Sequence, residues 1–300
     1  MSLIPVFQPR VRVRRLGAAD HDVARWFLLN DVDANAFVLG WLDRHGVVPV
    51  DPDRRFAFVG TWDGADLRDL ALFVSGAVCC LAARTPSGAE ALAAHARQRP
   101  MPLRVVLGRA PVEQAFVRRY SVGGRARIDR HTPQRLLTLR SRDLRYFGPV
   151  GLVTADDADR RAVVAATLAM HDEESGYDGS AQSERDALAD GAVARIEAGC
   201  TRILRDPVDG RLLFKASVAS DALEGAQLEG VWVPPRARRR GIARRALAEM
   251  CRDLLMIHDR VTLYADADNA AALALYARLG FVDAGPWSTT RLVVAGGSAI

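Results

Sequence analysis

The sequence predicts a mixed α/β protein, α+β in character with mixed sheets, divided into two domains. Three observations predict it. Short apolar runs with strand-like spacing alternate with helical patterns in both halves of the chain. No short-period repeat is visible, which excludes solenoids and propellers. One apolar strand runs through an arginine-rich turn directly into a helix, a βα unit of the kind that binds anions. A length of 300 residues accommodates two domains, and a composition 49% hydrophobic and 26% charged excludes wholesale disorder.

In the first block, residues 11–14 read as a short strand and residues 22–29 and 34–44 as helices. Apolar runs at 55–62, 70–74 and 77–82 follow with the spacing of a strand meander. Helical patterns at 88–97 and 112–120 flank a strand at 103–107, and a last strand is expected at 135–139. Residues 140–151 mix charges with Gly148 and Pro149 and carry no periodicity, so the boundary falls there, giving domains 1–145 and 146–300. The second block opens with a strand at 152–154. Residues 155–157 cap a helix through 161–170, a polar loop spans 171–179, and a second helix covers 184–197. Strands at 202–205 and 212–219 are joined by a turn at 206–210 containing Pro207 and Asp-Gly. A strand at 226–233, a helix at 241–256, a strand at 260–265, a helix at 269–279 and a strand at 290–294 complete the chain.

Composition narrows the function classes. No apolar run approaches the roughly 20 residues of a membrane span, and residues 1–15 lack the basic flank and apolar core of an export signal, so a cytoplasmic protein without membrane contact is expected. The four cysteines, Cys79, Cys80, Cys200 and Cys251, have no metal spacing, and neither do His171 and His258; no metal is expected. There is no Gly-x-Ser-x-Gly elbow and no Walker-type Gly-Lys-Ser/Thr. The net charge of +5 is carried almost wholly by arginine, Lys215 being the only lysine. A positive field attracts a polyanionic cofactor or nucleic acid alike.

The informative segment begins at Leu228 and runs through Glu229, Val231, Trp232, Val233 and two prolines to Arg238, Arg239, Arg240, Gly241, Ile242, Ala243 and Arg244. Six arginines lie between Arg236 and Arg245. A solvated basic face accounts for the charge, but not for Gly241 and Ala243 at the helix start. A glycine there lets backbone approach a ligand, and unpaired N–H groups with the helix dipole attract phosphate oxygens. Flanking arginines add charge at the same place.

The pattern Arg238-x-x-Gly241-x-Ala243 resembles the acetyl-CoA signature of the GCN5-related N-acetyltransferase (GNAT) superfamily. Asn269-x-x-Ala272-x-x-Leu275-Tyr276-x-x-x-Gly280-Phe281 is similar to that family's next signature. The resemblance implies a GNAT fold with splayed central strands in the C-terminal half, acetyl-CoA as donor substrate, and its pantetheine arm along Val231, Trp232 and Val233. It implies further that Arg238 to Arg244 hold the pyrophosphate, that Asn269 helps hold the cofactor, and that Tyr276 lies near the thioester sulfur as general acid. Glu229 is the expected base, acting directly or through water, and Glu173 and Glu174 are expected to meet a cationic acceptor. The expected reaction is direct attack of a primary amine, on a small molecule or peptide, in a ternary complex. The alternative is a non-catalytic acyl-CoA sensor. Nucleic acid is not an expected partner, and a monomer or homodimer is expected. The first block has the element order of a degenerate GNAT-like domain, since residues 103–118 offer no comparable turn; Leu107-Gly-Arg-Ala-Pro111 has the wrong spacing.

Overall fold

The computed structural model describes residues 11–50, 55–75, 77–99, 102–175 and 182–294. Contacts divide the chain into two units: one runs to Gln134 and takes back residues from Pro286 onward, and the other is Arg135–Gly285. The sequence boundary at 145/146 lies eleven residues beyond the first crossing point, and the C-terminal strand segment packs in the first unit rather than the second.

The first unit is built from β1 (Arg12–Arg15), α1 (His21–Leu29), α2 (Val32–His45), β2 (Phe56–Asp63), β3 (Asp66–Val74), β4 (Val78–Leu81), α3 (Pro86–Ala96), β5 (Val105–Arg109), α4 (Ala110–Ser121) and the start of β6 (Ala126–Leu139). Strands β1 to β4 pair antiparallel in sequence order and β4 pairs parallel with β5. Phe73, Leu92, Phe116 and Tyr120 form its core, with Leu292 contributed by the C-terminal strand.

The second unit repeats the same order. It comprises β7 (Val153–Thr154), α5 (Arg160–Ser175), α6 (Gln182–Glu197), β8 (Thr201–Arg205), β9 (Leu212–Ala222), β10 (Gly225–Trp232), α7 (Ile242–Leu255), β11 (Val261–Asp266), α8 (Ala270–Leu279) and the start of β12 (Val282–Val294). Again the first four strands are antiparallel and the fourth, β10, pairs parallel with β11, only at Ala226 and Gln227. One sheet face packs on α7 and α8 through Phe214, Ala216, Leu228, Leu247, Leu263 and Leu279; the other meets α5 and α6 through Val163, Ile196 and Ile203.

Every expected helix and strand is present, with bounds shifted by a few residues, save three larger differences. The strand expected at 135–139 starts at Ala126, because residues 127–131 are exposed and carry no apolar alternation. The strand expected at 290–294 starts at Val282: residues 282 and 283 are exposed, and the buried positions that follow include the polar Ser288, so no apolar alternation marks it. The polar loop expected at 171–179 is helical to Ser175, and residues 176–179 lie outside the described residues.

Candidate active site

Strand β10 ends in an irregularity that shapes the site. Its register against β9 slips between Glu229 and Trp232, with Gly230 at φ 64°, so that Glu229 faces Ser217 and Trp232 faces Lys215. Such a bulge bends the strand and re-aims the residues after it. Pairing with β11 covers only the first two residues of β10 that it meets, leaving the backbone beyond Gln227 free of that neighbour. The chain then turns through Pro235–Ala237 and reaches α7 with Arg239 at φ 62° and Gly241 at φ 76°. Backbone of this left-handed kind turns successive N–H groups toward one side, forming an anion-binding concavity. No side chain caps the start of α7, so its first N–H groups and its dipole remain available to a ligand.

A cavity of about 1020 Å³ opens between this turn and α8. Of the residues expected at the donor site, Val231, Trp232, Val233, Arg238, Arg239, Gly241, Ile242, Ala243, Arg244, Asn269 and Tyr276 line it; Arg240 is exposed and does not. Arg238 donates to the Val233 carbonyl at 2.9 Å and forks onto Glu173 at 2.6 and 2.8 Å. Asn269 accepts from the Ala272 N–H at 3.0 Å and so caps α8. Trp232 Nε1 and Arg244 Nε are buried without a partner among the described residues, two donors on the cavity wall that a ligand can satisfy. The guanidinium of Arg244 stacks 4.6 Å over the Phe147 ring.

The expected catalytic and acceptor residues divide differently. Tyr276 lines the cavity, is 7% exposed, and packs edge-on against Phe281 at 5.6 Å. Burial, reinforced by Cys251 and Glu174 nearby, raises its phenol well above the ordinary value, so it stays protonated. Glu173 and Glu174 also line the cavity, but Glu173 is engaged by Arg238. Glu229 is not on the wall: it is half-buried and ion-paired with Arg195 of α6. Beside it stands Lys215, 3% exposed, whose amine is lowered to about 8 by burial, against the attraction of Glu229 and Glu174 and with the repulsion of Arg195. In the sequence Lys215 stands out only as the sole lysine. A lysine directly after the apolar run Leu212–Phe214 is the one signal available there.

In the first unit the corresponding strand-to-helix turn is residues 82–85, between β4 and α3, and not in the region 103–118, where the sequence was searched for it and offered no comparable turn. Here an internal carboxylate fills the helix start. Asp69 of β3, 4% exposed, accepts from the N–H groups of Arg84 and Thr85 at 2.8 and 3.2 Å and from the Thr61 hydroxyl at 2.8 Å.

The fold is of the GNAT kind. Residues 182–281 match the Acetyltransferase (GNAT) family, whose members carry out acyl transfer. Solved structures agree in fold. A putative GNAT-family acetyltransferase from Novosphingobium aromaticivorans is 20% identical over 87% of this chain and 98% of that one, with a TM-score of 0.55. A tandem GNAT protein from the clavulanic acid biosynthesis pathway is 17% identical over 96% and 100%, also at 0.55. A Drosophila protein is 15% identical over 94% and 98%, at 0.67. No curated protein matches the chain. Among the described residues no group of three or more His, Cys, Asp or Glu is placed to hold a metal ion, and no helix is long and apolar enough to cross a membrane.

Proposed function

We propose that the second unit is an acetyl-CoA-dependent N-acetyltransferase acting on a primary amine by direct attack in a ternary complex. One observation carries the reading: a single cavity joins an uncapped, arginine-flanked helix start to a buried, protonated Tyr276. The helix start and Arg238, Arg239 and Arg244 suit a pyrophosphate. Backbone at Val231 and Val233, beyond the β10–β11 pairing, suits the peptide-like groups of a pantetheine arm. Tyr276 then donates its proton to the departing thiolate, and an N–H near Val231 polarises the thioester carbonyl. Glu174 offers a negative wall that favours a cationic acceptor.

The first unit is the non-binding half in this reading, because Asp69 already supplies the anion at its helix start. The test is calorimetry with acetyl-CoA beside a thiol-release assay over polyamine, amino-sugar and peptide amines. Binding with amine-dependent thiol release supports the transferase. Binding without any release identifies a sensor instead, and a bound coenzyme whose pyrophosphate lies away from Arg238, Gly241 and Ala243 refutes the site.

A further inference from the structure

The only lysine of the chain is folded into its interior at the point where the fourth strand of the second unit breaks register. Burying an ammonium is costly, and a structural role does not account for this one: Arg195 already neutralises Glu229, and the neighbouring face of β8 presents the apolar Ile203. The space in front of the amine is kept open by Gly230. A Cβ on that residue would stand 3.1 Å from Lys215 Nζ, and its φ of 64° disfavours any side chain. Trp232, cross-strand from Lys215, and Glu174, whose charge Lys215 senses, both line the cavity. Lys215 thus neighbours two residues of the cavity wall without lining the cavity itself.

Resting on the transferase reading above, we propose that Lys215 is a further catalytic residue, the group that removes a proton from the acceptor ammonium before its nitrogen attacks the thioester. The step balances. Neutral Lys215 takes one proton as the acceptor becomes a free amine, the nitrogen–carbon bond forms as the carbon–sulfur bond breaks, and Tyr276 protonates the sulfur. The second proton leaving nitrogen restores the one Tyr276 gave up, and Lys215 returns its proton to solvent. The groups facing Lys215 suit this cycle. Burial lowers its affinity for a proton, while Glu229 on β10 and Glu174 on α5 limit the fall and Arg195 on α6 adds to it. A base titrating near 8 holds a useful neutral fraction at neutral pH and still accepts a proton.

A lone lysine makes the test direct. In full-length protein labelled with 13C at lysine, a single side-chain resonance reports Nζ. It is expected to titrate near 8 and to shift on addition of acetyl-CoA. Lys215→Met and Lys215→Arg are each expected to lower kcat about 30-fold or more at pH 7 with spermidine, glucosamine or a free N-terminal peptide as amine probe. Their acetyl-CoA affinity, read by calorimetry, is expected to stay within about twofold, and the Met variant is expected to recover as pH approaches that of the free amine. A lysine that titrates as in a free peptide, or an Arg variant with wild-type kcat and pH profile, overturns the assignment while leaving the donor site intact. If no probe amine is acetylated, the resonance alone decides: an unmoved signal in the presence of bound acetyl-CoA rejects it. Failure of the wild type to bind acetyl-CoA instead removes the transferase reading, and the role of Lys215 with it.

Discussion

At the scale of single residues, two buried titratable groups, Tyr276 and Lys215, are shifted in opposite directions. Tyr276 is held protonated and Lys215 is pushed toward neutrality, both chiefly by burial, which always disfavours the charged form. Tyr276→Phe keeps the ring contact with Phe281 and removes only the hydroxyl; it is expected to lower kcat about 10- to 100-fold with little change in acetyl-CoA affinity, as steady-state kinetics beside calorimetry will show. Lys215 also has a stability signature. Its folded value of about 8 lies below the ordinary 10.5, so between those limits the unfolded chain binds a proton that the folded one does not, and stability rises with pH. Below pH 8 the full cost, of the order of 3 kcal/mol, is present. Lys215→Met is therefore expected to raise the melting temperature at pH 7, the gain shrinking as pH rises above about 8 and vanishing above about 10.5; a variant less stable at every pH shows instead that the ammonium is net favourable. The sequence already held the identities of Tyr276 and Lys215, but only the first had a motif around it. The charges that Lys215 meets, Glu229, Arg195 and Glu174, come from other elements, and their approach is a tertiary event without local periodicity.

At the scale of elements, the strand-to-helix unit was the most legible part of the chain, because its requirements are local. Gly241 sits in the left-handed region at the start of α7, and the nearest atom to a Cβ placed there is Arg244 Nη2 at 3.9 Å. Space is thus not the constraint; conformation is. Gly241→Ala is expected to cost about 1 kcal/mol in stability and, by distorting the turn that carries the N–H groups, to weaken acetyl-CoA binding about tenfold, both readable by calorimetry. Unchanged affinity argues that the coenzyme's phosphates do not rest there. The equivalent helix start in the first unit was not legible, since the residue that fills it, Asp69, lies on β3, some fifteen residues before the amides it accepts from. Likewise β6 was seen only from Arg135, where its burial begins, because the preceding residues have strand backbone without an apolar face.

At the scale of the whole molecule, the two units share one order of strands and helices and one pattern of pairing, yet the chain does not divide at a single point. Residues after Pro286 belong to the first unit: Trp287–Arg291 of β12 pair antiparallel with β5, and Leu292 enters the core made by Phe73, Leu92 and Phe116. The sequence alone assigns this strand to the second domain because neighbours in sequence usually share a domain, and its pairing with residues 105–109 spans too great a separation to leave a local signature. Folding of the first unit is therefore tied to the end of the chain, while every residue lining the cavity falls within Arg135–Gly285. Leu292→Ala separates the two consequences. Deleting a buried leucine side chain, 4% exposed, is expected to destabilise the first unit by about 2–4 kcal/mol, seen as lost hydrogen-exchange protection in β5 and α4. Acetyl-CoA affinity should change less than about twofold, since the substitution touches no cavity residue. A parallel loss of affinity would mean that the second unit depends on the first for its site, and that the chain's two halves act as one binding body.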